Sequence, residues 1–428
     1  MEPMKIVKEI KTQFGIEISY NKAVKTKTKV LEVMRIHRET LHLLVKELEL
    51  SGSVGKVGIS SDGSQYFFWA FQACIDALRN HLRPVVYVGM EDTQLGVLMY
   101  AQGIDGDNVY GWPIEVGFAL CVRDDEKSWE RFLGWLKEFV LPPQTPPTFT
   151  IVTDFEETVT HAVENVLPHV HHFFLQADFK EVFSKKFKDP NIWTLCEQAC
   201  GSFSAEECES YLQRIKKRNK EAYEWIESVG SKSQWAISFS PNKHARAIGL
   251  GTRNNLEIIP ILVKKLSIVE IVENSRDMLA KYFSYNRMKG AEMITTTGLT
   301  PGVMANVKGA KFCLHAYEVE SINRDKYQVT FISSSNDTWL VDLEERSCTC
   351  GEFQAKEYPC WHAWVTIVQL NLDVRNYVSQ WYTLDTYLAT YEGSLPPPIP
   401  GHISQWQAAL NAPPPKRSVG RPKKRRKN

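Results

Sequence analysis

Apolar positions recur at helical spacing through the first fifty residues. Ile6, Ile10 and Phe14 share one face, Val30, Val33 and Met34 continue the pattern, and Leu41, Leu44, Val45 and Leu48 extend it. Gly and Ser then dominate residues 51–64, which read as a loop. Phe67–Phe71 reads as a strand entering a helix that reaches Leu82. At Arg83 the pattern changes. Short apolar runs of strand type occupy Val85–Val88, Gly96–Ile104 and Ile114–Val122, with turn chemistry at Asp105-Gly106-Asp107-Asn108. Ser128 reads as the cap of a helix carrying Trp129, Phe132, Leu133, Leu136 and Phe139, ended by the prolines of Pro142–Pro147. A fourth strand, Phe149–Thr153, stops at Asp154. A helix follows to Leu167, then a fifth strand, His171–Leu175.

Three strands, then helix, strand, helix and strand, is the order of an RNase H-like core, so the expected fold class is α/β with such a core. Phe179–Glu227 is a charged helical insertion with Ile192, Trp193 and Leu195 on its buried face and a break at Gly201-Ser202. A second helix-rich stretch runs from Asn254 to about Lys289. Lys326–Ile332 and Thr338–Leu343 alternate as paired strands about a turn at Ser333–Asp337, and His362–Val368 opens a helix. The expected domains are a mainly helical region over 1–82, the α/β core with its insertion over 83–290, and a small finger domain over 299–376. A helical and Pro-rich region over 377–412 and a disordered basic tail over 413–428 complete the chain.

The chemistry concentrates in the finger. Cys348, Cys350, Cys360 and His362 form a C-x-C, nine-residue, C-x-H pattern. Three thiolates and one imidazole complete a tetrahedral shell for Zn²⁺ with no position left for water, which reads as structural. Soft sulfur and nitrogen donors also suit zinc better than magnesium or calcium. The alternative, buried thiols and a core histidine, does not explain three of nine cysteines falling within 13 residues. Cys196, Cys200 and Cys208 are also spaced on helices, but no histidine accompanies them. His161, His169, His171 and His172 read as core or surface residues.

Charge is uneven. The chain carries 51 basic and 50 acidic residues, and eight of the basic ones lie in Lys416–Asn428 without an acid, which leaves 43 against 50 in the body. Such a block serves nuclear import or contact with nucleic acid. Val419-Gly420-Arg421-Pro422 is similar to an AT-hook core with valine in place of its first arginine. Arg421, Lys423, Lys424, Arg425 and Arg426 are therefore the candidate DNA contacts. The expected location is the nucleus. No apolar run reaches 18 residues, so no membrane association is expected.

The finger, with its Pro359-Cys360-Trp361-His362-Ala363, looks like a SWIM-type zinc finger. An α/β core, a helical insertion, this finger and a basic tail, in that order, resemble a Mutator-like element (MULE) transposase or a host protein derived from one. Arg83-Pro84, Gly96-Val97-Leu98-Met99, Asp105-Gly106-Asp107-Asn108, Ser128-Trp129 and Gly420-Arg421-Pro422 add to the likeness. The resemblance implies a catalytic triad of carboxylates holding two Mg²⁺ or Mn²⁺ ions. Asp154 falls at the second position and Glu257 at the third. The first strand is followed by Gly89, with Glu91 and Asp92 nearby. The C-x-x-H pair expected after the fifth strand reads Leu175 and Asp178. These departures point to a degenerate or domesticated member, whose Mg²⁺ or Mn²⁺ would matter only if the site were active. Three readings stand open. One is a zinc- and DNA-binding protein without catalysis, one an active transposase, and one a module whose finger serves a protein partner.

Overall fold

The computed structural model describes residues 39–59, 63, 65–93, 95–107, 113–241, 267–293 and 298–399, with scattered positions between 4 and 24. Glu257, the tail over 413–428 and most of the expected N-terminal helix lie outside the described residues.

A seven-stranded mixed sheet forms the centre. Its strands are β1 (Val54–Ile59), β2 (Gln65–Ala70), β3 (Val85–Thr93), β4 (Gly96–Gly103), β5 (Ile114–Cys121), β6 (Thr150–Thr153) and β7 (His171–Phe174), in the order β1-β2-β5-β4-β3-β6-β7. β3, β4 and β5 form an antiparallel meander, whereas β6 runs parallel to β3 and β7 parallel to β6. All eight residues of β5 are buried. That explains why its residues are apolar apart from Glu115, since a strand covered on both faces has no polar side to alternate.

Two expectations are corrected. Residues 54–59, read as loop, form β1, and β2 pairs with β5 (Phe67 with Leu120, Trp69 with Phe118). Residues 54–59 and 65–70 therefore contribute two strands to the central sheet, between the helix over 39–50 and the helix over 72–80. Val54-Gly55-Lys56-Val57-Gly58-Ile59 was disguised by its two glycines. Gly55 is needed there because a Cβ would come within 2.9 Å of the Val45 backbone, on the helix through residues 39–50. Trp69 stacks between Phe67 and Phe118 at 5.2 and 5.0 Å and seals this added edge. The second correction concerns a cap. Helix α2 (Glu126–Trp135) is capped by Asp125, which accepts from the Ser128 amide, so Ser128 sits inside the first turn.

Helices cover both faces. α1 (Gln72–Asn80) follows β2, and α3 (Glu157–Val166) packs on α2. α4 (Gln176–Lys186), α5 (Pro190–Gly201), α6 (Ala205–Arg218) and α7 (Lys220–Ser228) build the insertion around its own core of Phe179, Phe183, Trp193, Leu212 and Ile226. Asp189, Ser204 and Asn219 cap the last three, with Pro190 at the first position of α5. Cys196, Cys200 and Cys208 are buried in this core. α8 (Ile268–Glu292) starts in a Ser267–Glu270 capping box and returns to the sheet, where Ser275 accepts from the Trp69 indole at 3.2 Å. Among the described residues no helix is long and apolar enough to cross a membrane.

The C-terminal part begins with α9 (Pro301–Cys313). A four-stranded antiparallel sheet follows, ordered β11-β10-β9-β8: β8 (Tyr317–Ser321), β9 (Lys326–Phe331), β10 (Ser334–Asp342) and β11 (Ser347–Cys348). Two short strands, β8 and β11, therefore flank the expected pair. α10 (Glu352–Lys356), α11 (Trp361–Gln369) and α12 (Leu384–Thr390) complete it. The turn Asp105-Gly106-Asp107 docks this part onto the core. Asp107 pairs with Lys289 at 3.1 Å and accepts from the Gly302 amide at 2.9 Å, while Asp105 accepts from the Tyr391 hydroxyl at 2.6 Å. Gly106 permits the approach, because a Cβ there would lie 1.7 Å from the Trp381 carbonyl oxygen. Burial pushes the Asp105 carboxyl up, against the opposing effects of Tyr391 and Arg83.

Candidate metal centre

Each ligand of the quartet is placed by a local backbone feature. β11 pairs with the end of β10, Val341 opposite Cys348, after a tight reversal with Arg346 at φ 48°. Gly351 then adopts φ +80° and donates its amide to the Cys348 carbonyl at 2.9 Å, which turns Cys350 back toward Cys348. The Gln354 side chain holds the backbone of Cys348 from both sides, accepting from its amide at 3.1 Å and donating to its carbonyl at 3.0 Å. Cys360 is the N-cap residue of α11 and His362 the second residue of that helix.

The four ligand atoms lie within 4.8 Å of one another. His362 Nδ1 is 3.7 Å from Cys348 Sγ and 3.9 Å from Cys360 Sγ. Zinc bonds of about 2.3 Å to sulfur and about 2.0 Å to nitrogen, directed tetrahedrally, place ligand atoms roughly 3.5–3.8 Å apart. The pocket thus matches the ion in size as well as donor chemistry. Cys348 and Cys360 are buried, and Cys350 and His362 half-buried. The neighbouring thiols of Cys348 and Cys360 hold Cys350 far below the usual thiol range, and the Cys348 thiol is in turn pushed up to about 12 by its hydrogen bond to Cys350. Negative charge gathered on sulfur in a closed pocket is what a divalent cation neutralises.

Aromatic rings from the finger sheet set the imidazole. Trp339 stacks on His362 with centroids 3.8 Å apart and 18° between planes, and Tyr317 meets it edge-on at 6.3 Å. Neither was singled out from sequence as part of the site. Trp339 carried one usable signal, its place beside Val341 on the alternating strand that enters the ligand turn. Phe203 carried none. It lies in the α5–α6 loop, yet a Cβ at Gly351 would fall 2.3 Å from its carbonyl oxygen, and Lys356 lies over its ring at 5.5 Å. The ligand turn is therefore seated on the helical insertion.

The core presents a different arrangement. Asp154, at the end of β6, accepts from the Tyr87 hydroxyl at 2.7 Å. Burial first, and Asp154 second, push the Tyr87 phenol well up. Val88 pairs with Thr153, which places Gly89 level with Asp154 on the neighbouring strand. A Cβ at Gly89 would lie 2.7 Å from the Tyr87 hydroxyl and 2.9 Å from that of Tyr100. Glu91 and Asp92 continue along β3, opposite Leu98 and Val97. Among the described residues, the finger quartet is the only group of three or more His, Cys, Asp or Glu whose ligand atoms converge. His172 bonds to Thr153 at 2.8 Å, and burial lowers its pKa to about 4. His171 instead contacts the Ser233 carbonyl at 2.9 Å.

The fold and this site define a mixed α/β protein carrying a C-terminal Cys₃His metal module. Residues 327–371 match the SWIM zinc finger family. A search of curated proteins finds no match to the chain.

Proposed function

We propose that this chain is a zinc-binding nuclear protein derived from a MULE transposase, which contacts DNA without cutting it. The observation that carries the reading is the Cys₃His quartet, whose matched SWIM finger holds zinc as a structural ion. Behind it, the meander β3–β5 flanked by parallel β6 and β7 supports an RNase H-like core, and α4 to α7 follow β7 as a helical insertion would. The proposed domain limits remain those read from the sequence, with β1 and β2 added to the core sheet.

Loss of catalysis is supported by Asp154 engaging Tyr87 and by glycine at the neighbouring strand position. A two-metal site needs several carboxylates around its ions. A strand-transfer and nicking assay with Mn²⁺, on DNA carrying terminal inverted repeats, tests this. No cleavage is expected, and cleavage abolished by Asp154→Asn would overturn the reading in favour of an active transposase. The basic tail supports import and DNA contact through Arg421, Lys423, Lys424, Arg425 and Arg426. Deleting Lys416–Asn428 should move the protein out of the nucleus and weaken DNA binding.

One observation favours a second reading for the finger itself. Lys356, the only basic residue between the outer ligands, is ion-paired with Glu352 and folded over Phe203 and Tyr358. A ligand loop whose one cation is ion-paired suits a protein partner better than a phosphate backbone. A finger fragment that retards DNA by itself would exclude that reading.

A further inference from the structure

The helical insertion is polarised. α6 begins Ala205-Glu206-Glu207 and ends Lys216-Lys217-Arg218, and α4 ends Lys185-Lys186 with Lys188 just beyond. The Arg218–Asp189 pair, at 3.2 Å, fastens the C-terminal end of α6 beside the loop between α4 and α5. The cations of two helix ends and one loop therefore share one end of the insertion. The opposite end, with Phe203, meets the finger.

Helix dipoles account for lysines in a last turn. They do not account for Lys180 in mid-helix or Lys188 in the loop. Nor, Arg218 apart, do these carboxylates neutralise the group: Asp189 engages Arg218, Glu181 engages Lys185 and Glu224 engages Lys220. Lys180, Lys186 and Lys216 instead lie over aromatic rings. Lys180 is 5.6 Å from Trp193, Lys186 5.9 Å from Trp225 and Lys216 4.9 Å from Tyr223. Lys186, Lys188, Lys216 and Lys217 are all exposed. Ammonium groups held over ring faces are positioned without being neutralised, so their charge stays available to a polyanion.

We propose that this end of the insertion, formed by Lys180, Lys186, Lys188, Lys216, Lys217 and Arg218, is a docking surface for the phosphate backbone of duplex DNA. It is separate from the basic tail and lies at the end of the insertion away from the finger. This rests on the DNA-binding reading above and names a second contact for it. The body of the chain is acidic overall, so a local group of exposed cations, in which Arg218 is paired with Asp189, is not a by-product of composition. Charge of this kind binds phosphate without regard to sequence and releases counterions in doing so.

The experiment uses the full chain and a fluorescent 30-base-pair duplex, with anisotropy measured across salt. Replacing Lys186, Lys188, Lys216 and Lys217 together by Gln should lower the magnitude of the slope of log K against log salt by about 3.6 and weaken binding about tenfold or more near 0.1 M salt. The four-Arg version should bind as the parent does. The parent chain provides an independent readout, because bound duplex should protect these four lysines from acetylation, read by mass spectrometry. A parent that binds no DNA would remove both this inference and the DNA-binding reading. A parent that binds, with unprotected lysines and an unchanged slope in the Gln variant, would overturn this inference alone and leave the tail as the contact. Competition by polyglutamate equal to that of duplex at matched charge would overturn the assignment to nucleic acid.

Discussion

The finger and the core each hold side chains of the metal-binding type, and among the described residues only one set comes together. In the finger, four ligands drawn from 15 consecutive residues bring their donor atoms within 4.8 Å. In the core, Asp154 ends beside a tyrosine hydroxyl, with glycine level with it on the next strand. The difference is one of range. A hairpin, a glycine turn and a helix start close the finger site within one short loop, at low entropic cost. A carboxylate triad must be assembled from separate strands and a distant helix. A single replacement on one strand is enough to undo such an assembly without disturbing the fold. The sheet keeps its register because β3 pairs through its backbone whatever its side chains are.

The sharpest way to break this contrast is to remove a finger ligand. Cys360→Ser leaves three donors for an ion that requires four. Structural zinc contributes about 10–16 kcal/mol of apparent binding energy to small metal modules. Zinc content should fall from one per chain to none, and residues 327–371 should lose protection against hydrogen exchange. The seven-stranded sheet should keep its own. Full zinc occupancy in that variant would show that the quartet is not the metal site. Collapse of the core sheet would show that the two regions are not independent in stability.

A smaller effect tests the core, where buried carboxyls serve structure. Glu115 on β5 is buried against Gln102, 3.2 Å away, and burial raises its pKa from 4.5 to about 7. The unfolded chain releases this proton near pH 4.5, while the folded chain keeps it until about 7. Stability should therefore fall as pH rises through that window, by up to about 3 kcal/mol for a shift of this size. Glu115→Gln removes the titration, so its advantage in urea midpoint should grow between pH 5 and pH 7.5. An advantage independent of pH would mean that the carboxyl is already ionised in the folded state.

What could be read from sequence follows the same division by range. The spacing of Cys348, Cys350, Cys360 and His362 is a local signal, and so are the strand alternation of Lys326–Ile332 and the apolar runs that became β3 to β7. β1 was hidden because Gly55 and Gly58 resemble a linker until the neighbours that exclude a Cβ are known. The capping role moved from Ser128 to Asp125 because both are good caps and only the backbone decides between them. Trp339 on His362 and Phe203 beneath Gly351 are contacts between distant segments, which no periodicity encodes. The Asp105-Gly106-Asp107 turn was read correctly as a turn, but its docking of Lys289, Gly302 and Tyr391 required the fold.

The seating of the finger on the insertion is the next test. Gly351→Ala forces an L residue to φ +80° and drives a Cβ against the Phe203 backbone. The strain costs about 1–3 kcal/mol. Zinc should still bind, with lower affinity in a chelator competition, and the finger should open more readily from the core. An Ala variant with unchanged zinc affinity would indicate that the ligand turn is set within the finger alone.

The smallest expected effect falls on the core's own pair. Tyr87→Phe removes one hydrogen bond to the Asp154 carboxylate. Asp154 is half-buried, so water can replace the lost donor, and the cost should be about 1 kcal/mol, below the usual range for bonds to charged groups. The informative readout is cation binding. Freed of Tyr87, Asp154 still belongs to no converging group of three ligands among the described residues, and a single oxygen ligand does not hold Mg²⁺ or Mn²⁺ against water. Millimolar Mn²⁺ should therefore shift the melting temperature of the parent and the Phe variant equally little. Stabilisation of the Phe variant alone, by several degrees, would show that the tyrosine had been closing a working cation site, and the contrast between finger and core would then be one of occupancy instead of assembly.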